Sequence, residues 1–181
     1  MEHQYVCLLR GINVSGKNKI KMAELKPQLQ SLGLEEVRTY IQSGNIVFKA
    51  KAGQSAEWAA KIKAMIQEVW GFDIKVMCVA EGDFRNFLQQ SPYWPEKEEE
   101  IKYLAFTLMT AVPEEERMAL LEAKKKGEED FKIIGQGLYL YCPYGFGRTK
   151  LSNNEIERIF KLGATTRNWK TMQQLEAMLN E

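Results

Sequence analysis

Gly11, Gly16, Lys17 and Asn18 stand close to the spacing G-x-x-x-x-G-K-S/T, the loop that cradles nucleotide phosphates on backbone amides and reaches them with a lysine. The pattern follows an apolar run, Tyr5–Leu9, as a phosphate-binding loop should. Three features oppose nucleotide hydrolysis. Asn18 replaces the hydroxyl residue that would hold Mg²⁺. Pro27 and the polar stretch KNKIK push the next helix past Lys17, to a start near Met22–Leu25. Asp73, Asp83 and Asp130 do not end strands, as a metal-binding carboxylate should. Backbone amides in such a Gly-rich turn can still hold an anion without hydrolysis.

Other polar groups sit at comparable places. Arg10 closes an apolar run, and a partly buried guanidinium needs a partner, either Glu24, Glu35, Glu36 or a ligand anion. Lys17, Lys19 and Lys21 alternate, as on a solvated edge. Gln42-Ser43-Gly44-Asn45 reads first as a hairpin turn needing Gly or Asn at positive φ. Lys150 and Asn153 flank Ser152 at a helix start, and Thr165-Thr166-Arg167-Asn168-Trp169 ends a strand. Asn168 suits a helix cap, and Trp169 suits the core below it. As a binding set, Arg10, Lys17, Lys150 and Arg167 would meet negative charge, with Lys19 beside them. Asn13, Gln42, Asn45 and Asn168 would orient a ligand by hydrogen bonds, together with Ser43 and Asn153, and Trp169 would stack on a ring.

Charge supports that grouping. Residues 10–26 carry five cations against one carboxylate, and residues 145–170 carry six against two. Acidic runs at Glu96, Glu98–Glu100, Glu114–Glu116 and Glu128–Asp130 compensate, leaving a net charge of +1. The sequence pI of 7.6 lies below the value of about 9 that marks a broad nucleic-acid footprint. A small anionic ligand is therefore expected ahead of a long duplex. His3 is the single histidine, in an N-terminal tail expected to be mobile, so His-based nucleophilic catalysis is excluded. Cys7, Cys78 and Cys142 are too scattered for a metal or a disulfide framework and read as free, packed thiols; no metal site is expected. Aromatics do not interleave with basic residues as an RNA-binding sheet requires.

These groups must be positioned by a soluble α+β chain. With 45% apolar and 27% charged residues, 181 residues can bury a real core. Neither a signal-peptide pattern nor an apolar run of roughly 18 residues occurs, so no membrane association and a cytoplasmic location are expected. The chain reads as strand Tyr5–Leu9, a helix ending at Gly33, and a hairpin of Val37–Gln42 with Asn45–Lys49. A helix follows, capped by Ser55, with Trp58, Ile62, Met65, Ile66 and Val69 on one face and Gly71 at its end. Strand Ile74–Val79 and helix Asp83–Gln90 complete the half.

Ser91–Glu100 shifts composition abruptly and reads as a linker between residues 1–94 and 101–181. Beyond it come strand Tyr103–Met109, an acidic-headed helix from Pro113 to about Lys126, and a hairpin of Phe131–Ile134 with Leu138–Cys142. Ser152 and Glu155 form a capping box for a helix ending at Gly163, followed by strand Ala164–Arg167 and helix Met172–Leu179. Both halves read strand-helix-strand-strand-helix-strand plus a helix. The expected fold is α+β, two tandem ferredoxin-like (split βαβ) subdomains packed together, each followed by an extra helix.

Leu8-Leu9-Arg10-Gly11-Ile12-Asn13-Val14, Gly16-Lys17-Asn18-Lys19-Ile20 with Met22, and Thr39 to Phe48 (TYIQSGNIVF) resemble the bacterial family catalogued as domain of unknown function 1697. The resemblance returns at Thr149-Lys150-Leu151-Ser152-Asn153 and Ala164-Thr165-Thr166-Arg167-Asn168-Trp169. Ser15 departs from a frequent glycine. The resemblance implies a compact cytosolic protein of two ferredoxin-like halves, and it implies no reaction, substrate or cofactor.

The expected function is binding of a small anionic, phosphate-containing ligand in a crevice between the halves. A nucleic-acid-binding module and a structural or interaction protein without ligand are the alternatives. Any acid–base catalyst would be a carboxylate, Lys or Tyr; enzymatic turnover, cofactor and oligomeric state stay open at this level.

Overall fold

A computed structural model of the chain describes residues 2–95 and 97–181. Met1 and Glu96, the latter inside the expected linker, lie outside the described residues. The chain divides into two compact units, residues 1–86 with 174–181, and residues 87–173.

The N-terminal unit contains β1 (Glu2–Leu9), α1 (Met22–Ser31), β2 (Glu35–Tyr40), β3 (Asn45–Lys51), α2 (Ser55–Trp70) and β4 (Val76–Ala80), before α3 (Glu81–Gln89). Its sheet runs β2-β3-β1-β4 with every neighbour antiparallel. β3 is thus inserted between β1 and β2, which defines the split βαβ, ferredoxin-like arrangement. The C-terminal unit repeats it with β5 (Leu104–Met109), α4 (Met118–Glu122), β6 (Asp130–Ile134), β7 (Gly137–Tyr141), α5 (Asn153–Phe160) and β8 (Ala164–Asn168). Its sheet runs β6-β7-β5-β8, again antiparallel, and α6 (Trp169–Leu179) ends the chain. Two four-stranded sheets with helices, in the twofold ferredoxin-like pattern, are what the element order predicts.

Alternation along a strand sends successive side chains to opposite faces. In β1, Tyr5, Cys7 and Leu9 join the core with Leu25 and Leu29 of α1 and Ile62 and Ile66 of α2. Val6 and Leu8 point the other way and are also buried, at 0% and 1% exposure. β5 is buried at all six positions. Its Ala105 and Met109 pack with Ile156, Ile159 and Phe160 of α5, while Phe106 meets the Phe87 ring at 5.1 Å.

Local differences from the sequence reading have local causes. His3 lies in β1 opposite Ala50 rather than in a mobile tail, because strand pairing runs out to Glu2 and Lys51. Gln54, not Ser55, is the extended N-cap of α2 (φ −77°, ψ 136°), and its side chain makes no cap bond. Val69 is 44% exposed, away from the buried stripe of Trp58, Ile62, Met65 and Ile66. The helix expected from Pro113 to Lys126 shrinks to a 3-10 turn, Glu115–Arg117, and α4. Leu121 is the buried residue of α4, with Met118 partly buried against the same core, and residues 124–129 close by bonds three residues apart instead. Ser152 does cap α5, accepting from Glu155 N–H at 3.3 Å, while Lys161 (φ 55°), not Gly163, ends it in the left-handed region.

Residues 91–95 are fastened to the C-terminal unit. The Tyr93 hydroxyl donates to Asp130 Oδ2 at 2.7 Å, and Lys125 Nζ donates to Asp130 Oδ1 at 2.9 Å. Partial burial acts to raise the Asp130 carboxyl, but the bonds from Lys125 and Tyr93 outweigh it and hold its pKa below the ordinary value. A depressed carboxylate contributes stability above its unfolded pKa of about 3.9, and that contribution is lost as pH falls through the lower folded value. Acid unfolding of Asp130→Asn should therefore show a shallower loss of stability below about pH 4 than the parent. Parallel acid-titration curves would remove Asp130 from that role.

Gly44 sits at φ +77°, and a Cβ there would lie 2.5 Å from Leu9 Cβ. Gly44→Ala combines left-handed strain of roughly 1–2 kcal/mol with overpacking of roughly 1–3 kcal/mol. Urea unfolding should show a loss of about 2–5 kcal/mol.

Candidate functional site

The loop after β1 is built on left-handed backbone. Gly11, Asn13, Ser15, Gly16 and Asn18 all have φ between 47° and 78°. Such angles are cheap for Gly and tolerable for Asn. The Ser15 position therefore has the positive φ of a glycine site, although a serine stands there.

Asparagine side chains then stand in for strand pairing. Asn13 Nδ2 donates to Ile20 O at 2.8 Å and to Gln42 O at 2.7 Å. Its Oδ1 accepts from Ile20 N–H at 2.9 Å. Asn18 Nδ2 donates to Gly11 O at 3.0 Å, and Lys17 N–H to Val14 O at 3.0 Å. The helix opens at Met22, so Lys17 sits in a turn and not at a helix N-terminus. That geometry differs from a nucleotide-hydrolysing phosphate loop, whose lysine opens the helix.

Across the sheet end, Leu9 N–H donates to Gly44 O at 2.8 Å. Asn45 is fully buried and donates to Tyr40 O and Ser43 Oγ at 3.0 and 2.9 Å. The structure thus brings Arg10, Asn13, Gln42, Ser43 and Asn45 together around two interlocked loops. Arg10 is half-buried with its N–H on Lys75 O at 2.9 Å, while Lys17 and Lys19 are exposed. Glu24 pairs with Lys21 and Glu36 with Lys49.

The remaining candidates, Lys150, Asn153, Arg167, Asn168 and Trp169, lie in the C-terminal unit. Asn153 Nδ2 donates to Ala164 O at 3.1 Å, and its Oδ1 accepts from Thr166 Oγ1 at 2.9 Å. Thr166 Oγ1 lies 2.8 Å from Thr107 Oγ1, the one hydroxyl within β5. Arg167 is buried and donates to Thr165 Oγ1 and Thr166 O at 2.9 and 3.0 Å. Asn168 Oδ1 accepts from Thr171 N–H at 2.8 Å, which caps α6. Trp169 is 3% exposed and fills core, so its faces are not open for stacking. Lys150 is exposed.

A cavity of about 320 Å³ opens beside these residues. Thr149, Ser152, Asn153, Thr166 and Asn168 give it polar groups, and Phe146 and Leu151 give it an apolar wall. A neighbouring cavity of about 420 Å³ shares Phe146 and Asn168 and adds Lys102, Lys170, Glu98 and Glu99. Thr149, Thr166 and Phe146 were not singled out as binding residues from the sequence. A hydroxyl inside the apolar strand LAFTLM was the available signal, because a buried Thr107 must find a polar partner.

Electrostatics limits the chemistry here. Hydrogen bonds from Arg158 and then Lys124 hold Glu155 down to about 2, so both of these cations are engaged by that carboxylate. Burial, above all, raises the Cys142 thiol to about 11, with Thr149 opposing, so it is no thiolate nucleophile at neutral pH. Among the described residues no group of three His, Cys, Asp or Glu side chains comes together to hold a metal ion. Nor is any described helix long and apolar enough to cross a membrane.

A family model described as "Protein of unknown function (DUF1697)" matches residues 2–139. Among solved structures, a conserved bacterial protein of Streptococcus pneumoniae is similar over 99% of both chains, with 27% identity and a TM-score of 0.78. Comparison with curated proteins gives no match.

Asn13→Ala removes three hydrogen bonds from a left-handed position. At about 1 kcal/mol each, urea unfolding should show a loss of roughly 2–3 kcal/mol. Faster protease cleavage within residues 11–20 should accompany it, and an unchanged variant would mean that the loop is held by something else.

Proposed function

Because this chain belongs to the family of proteins of unknown function DUF1697, whose description names no reaction, we propose its role from the site itself. The C-terminal unit binds a small anionic ligand, a nucleotide or phosphorylated metabolite, at the start of α5. The observation that carries this reading is the cavity of about 320 Å³ whose polar lining gathers Thr149, Ser152, Asn153, Thr166 and Asn168. Its size is at the lower end for small-molecule sites, and convergent polar groups against an apolar wall are their usual chemistry. The N-terminal end of α5 adds a favourable dipole for negative charge. Lys170 and Lys102, with Glu98 and Glu99, line the neighbouring cavity and suit the less charged remainder of such a ligand.

Arg10, Lys17 and Lys19 in the N-terminal unit extend the cationic character of the protein. A bacterial cytoplasmic setting belongs to the same reading. The structural relative is bacterial, and Cys7, Cys78 and Cys142 are all free, as in a reducing compartment.

A second reading draws on a specific observation. Asn13, Asn18 and Asn45 spend their amides on neighbouring backbone or hydroxyl groups. In that reading the motif residues serve the fold, and the protein is a scaffold for a partner. Nucleic-acid binding is a third outcome, recognisable by a slope of roughly −0.7 to −0.9 log units of affinity per phosphate against log salt.

A thermal-shift screen with nucleotides, sugar phosphates and short oligonucleotides separates them. A ligand at 100 times its Kd adds about 2.7 kcal/mol, which for a chain of this size is an upward shift of about 5–10 °C. Asn153→Asp keeps the acceptor for Thr166 but sets a carboxylate at the cavity. It should abolish the shift caused by phosphate-bearing compounds, while loss of the Asn153 Nδ2 bond to Ala164 O, worth about 1 kcal/mol, lowers its own melting temperature by roughly 2–4 °C. A full shift retained by Asn153→Asp, or no shift from any phosphate compound, would rule the reading out.

A further inference from the structure

Another cavity, of about 300 Å³, opens where SPYWP meets the C-terminal sheet. Tyr93, Trp94, Tyr141 and Glu100 line it, with Leu104. It shares no lining residue with the two cavities near α5; the helical turn Glu98–Tyr103 gives Glu100 to this cavity and Glu98, Glu99, Ile101 and Lys102 to the one of about 420 Å³.

Trp94 is 68% exposed. An indole is the side chain with most to gain from burial, so one left in water beside a cavity marks a contact surface. The aromatic residues are also held in place. Ser91 Oγ accepts from Tyr93 N–H at 3.3 Å and donates to Tyr93 O at 3.0 Å, closing a tight turn. Pro92 and Pro95, both at the cavity wall, restrict the backbone on either side. The Tyr93 hydroxyl is anchored on Asp130, and its ring lies 6.2 Å from that of Tyr141 at 33°. Little ordering is left to be done when a ligand arrives.

The chemistry of the lining selects the ligand. Among the described residues, three electron-rich aromatic side chains and one carboxylate line the space, and none of the lining residues is Lys or Arg. Burial and then the carboxylates of Glu128 and Glu100 raise the Tyr141 phenol, as expected of a negative local field. An anion is disfavoured there. An organic cation gains from the ring quadrupoles and from the carboxylate together.

We infer that this cavity binds the quaternary ammonium group of a small molecule, its methyl groups against Tyr93, Trp94 and Tyr141 and its charge balanced by Glu100. The site is distinct from the anion site proposed above and does not depend on it.

Ligand-observed NMR on the full chain tests this with choline, tetramethylammonium and 3,3-dimethylbutan-1-ol, the neutral isostere of choline. Both cations should bind saturably and compete with each other, and the isostere should bind about tenfold or more weakly. Trp94→Ala, at an exposed position, should keep the parental melting temperature and lose about tenfold or more in choline affinity; Glu100→Gln should weaken choline severalfold without affecting the isostere. Equal binding of the isostere would reduce the cavity to an apolar patch and overturn the assignment. Absence of choline binding to the parent, or unchanged affinity in Trp94→Ala, overturns it as well.

Discussion

Each sheet depends on burying a central strand from both sides. β1 and β5 are flanked by two partners each, and their inner residues are shielded on both faces. A strand in that position can carry almost no polar side chain. β5 tolerates Thr107 because Thr166, its register partner on β8, supplies a hydroxyl at 2.8 Å. Polar chemistry is thereby displaced to strand ends and connections, and the candidate sites are found there.

The two units lengthen different connections. In the N-terminal unit twelve residues, 10–21, join β1 to α1, while three, 52–54, join β3 to α2. In the C-terminal unit the long connection is instead residues 142–152, between β7 and α5. The first long loop is filled by its own backbone and asparagine amides, so it closes on itself and presents Lys17 and Lys19 outward. The second has no regular structure to fill its span, and Phe146, Thr149 and Leu151 wall a cavity there. One architecture thus yields a self-satisfied loop in one half and an open pocket in the other.

The same logic separates structural polar residues from those available to a ligand. Asn13 and Asn45 direct their amides at backbone groups and the Ser43 hydroxyl, groups that are costly to leave bare. Ser152 and Asn153 also serve the fold, yet they line a concavity large enough for a guest. The C-terminal unit concentrates concave surface of opposite character: hydroxyl and amide groups near α5, and rings with a carboxylate near Trp94.

Much of the fold is legible in the chain because it follows from local rules. Continuous apolar runs mark β1 and β5, three-and-four spacing marks α2, and Ser152 with Glu155 marks the start of α5. The Gly- and Asn-rich stretches announce their turns because left-handed backbone accepts few other residues. What a polar residue faces is not local. Trp169 looks like a stacking platform in sequence and is core in the structure; Trp94 looks like linker and stands at a cavity. Thr166 gains its meaning from Thr107, fifty-nine residues away. Sequence by itself determined the order and kind of elements, because hydrophobic periodicity and backbone sterics act between near neighbours. Only the tertiary structure decided which polar and aromatic groups are used up by the fold and which line open space, because that depends on partners brought together by strand pairing across the whole unit.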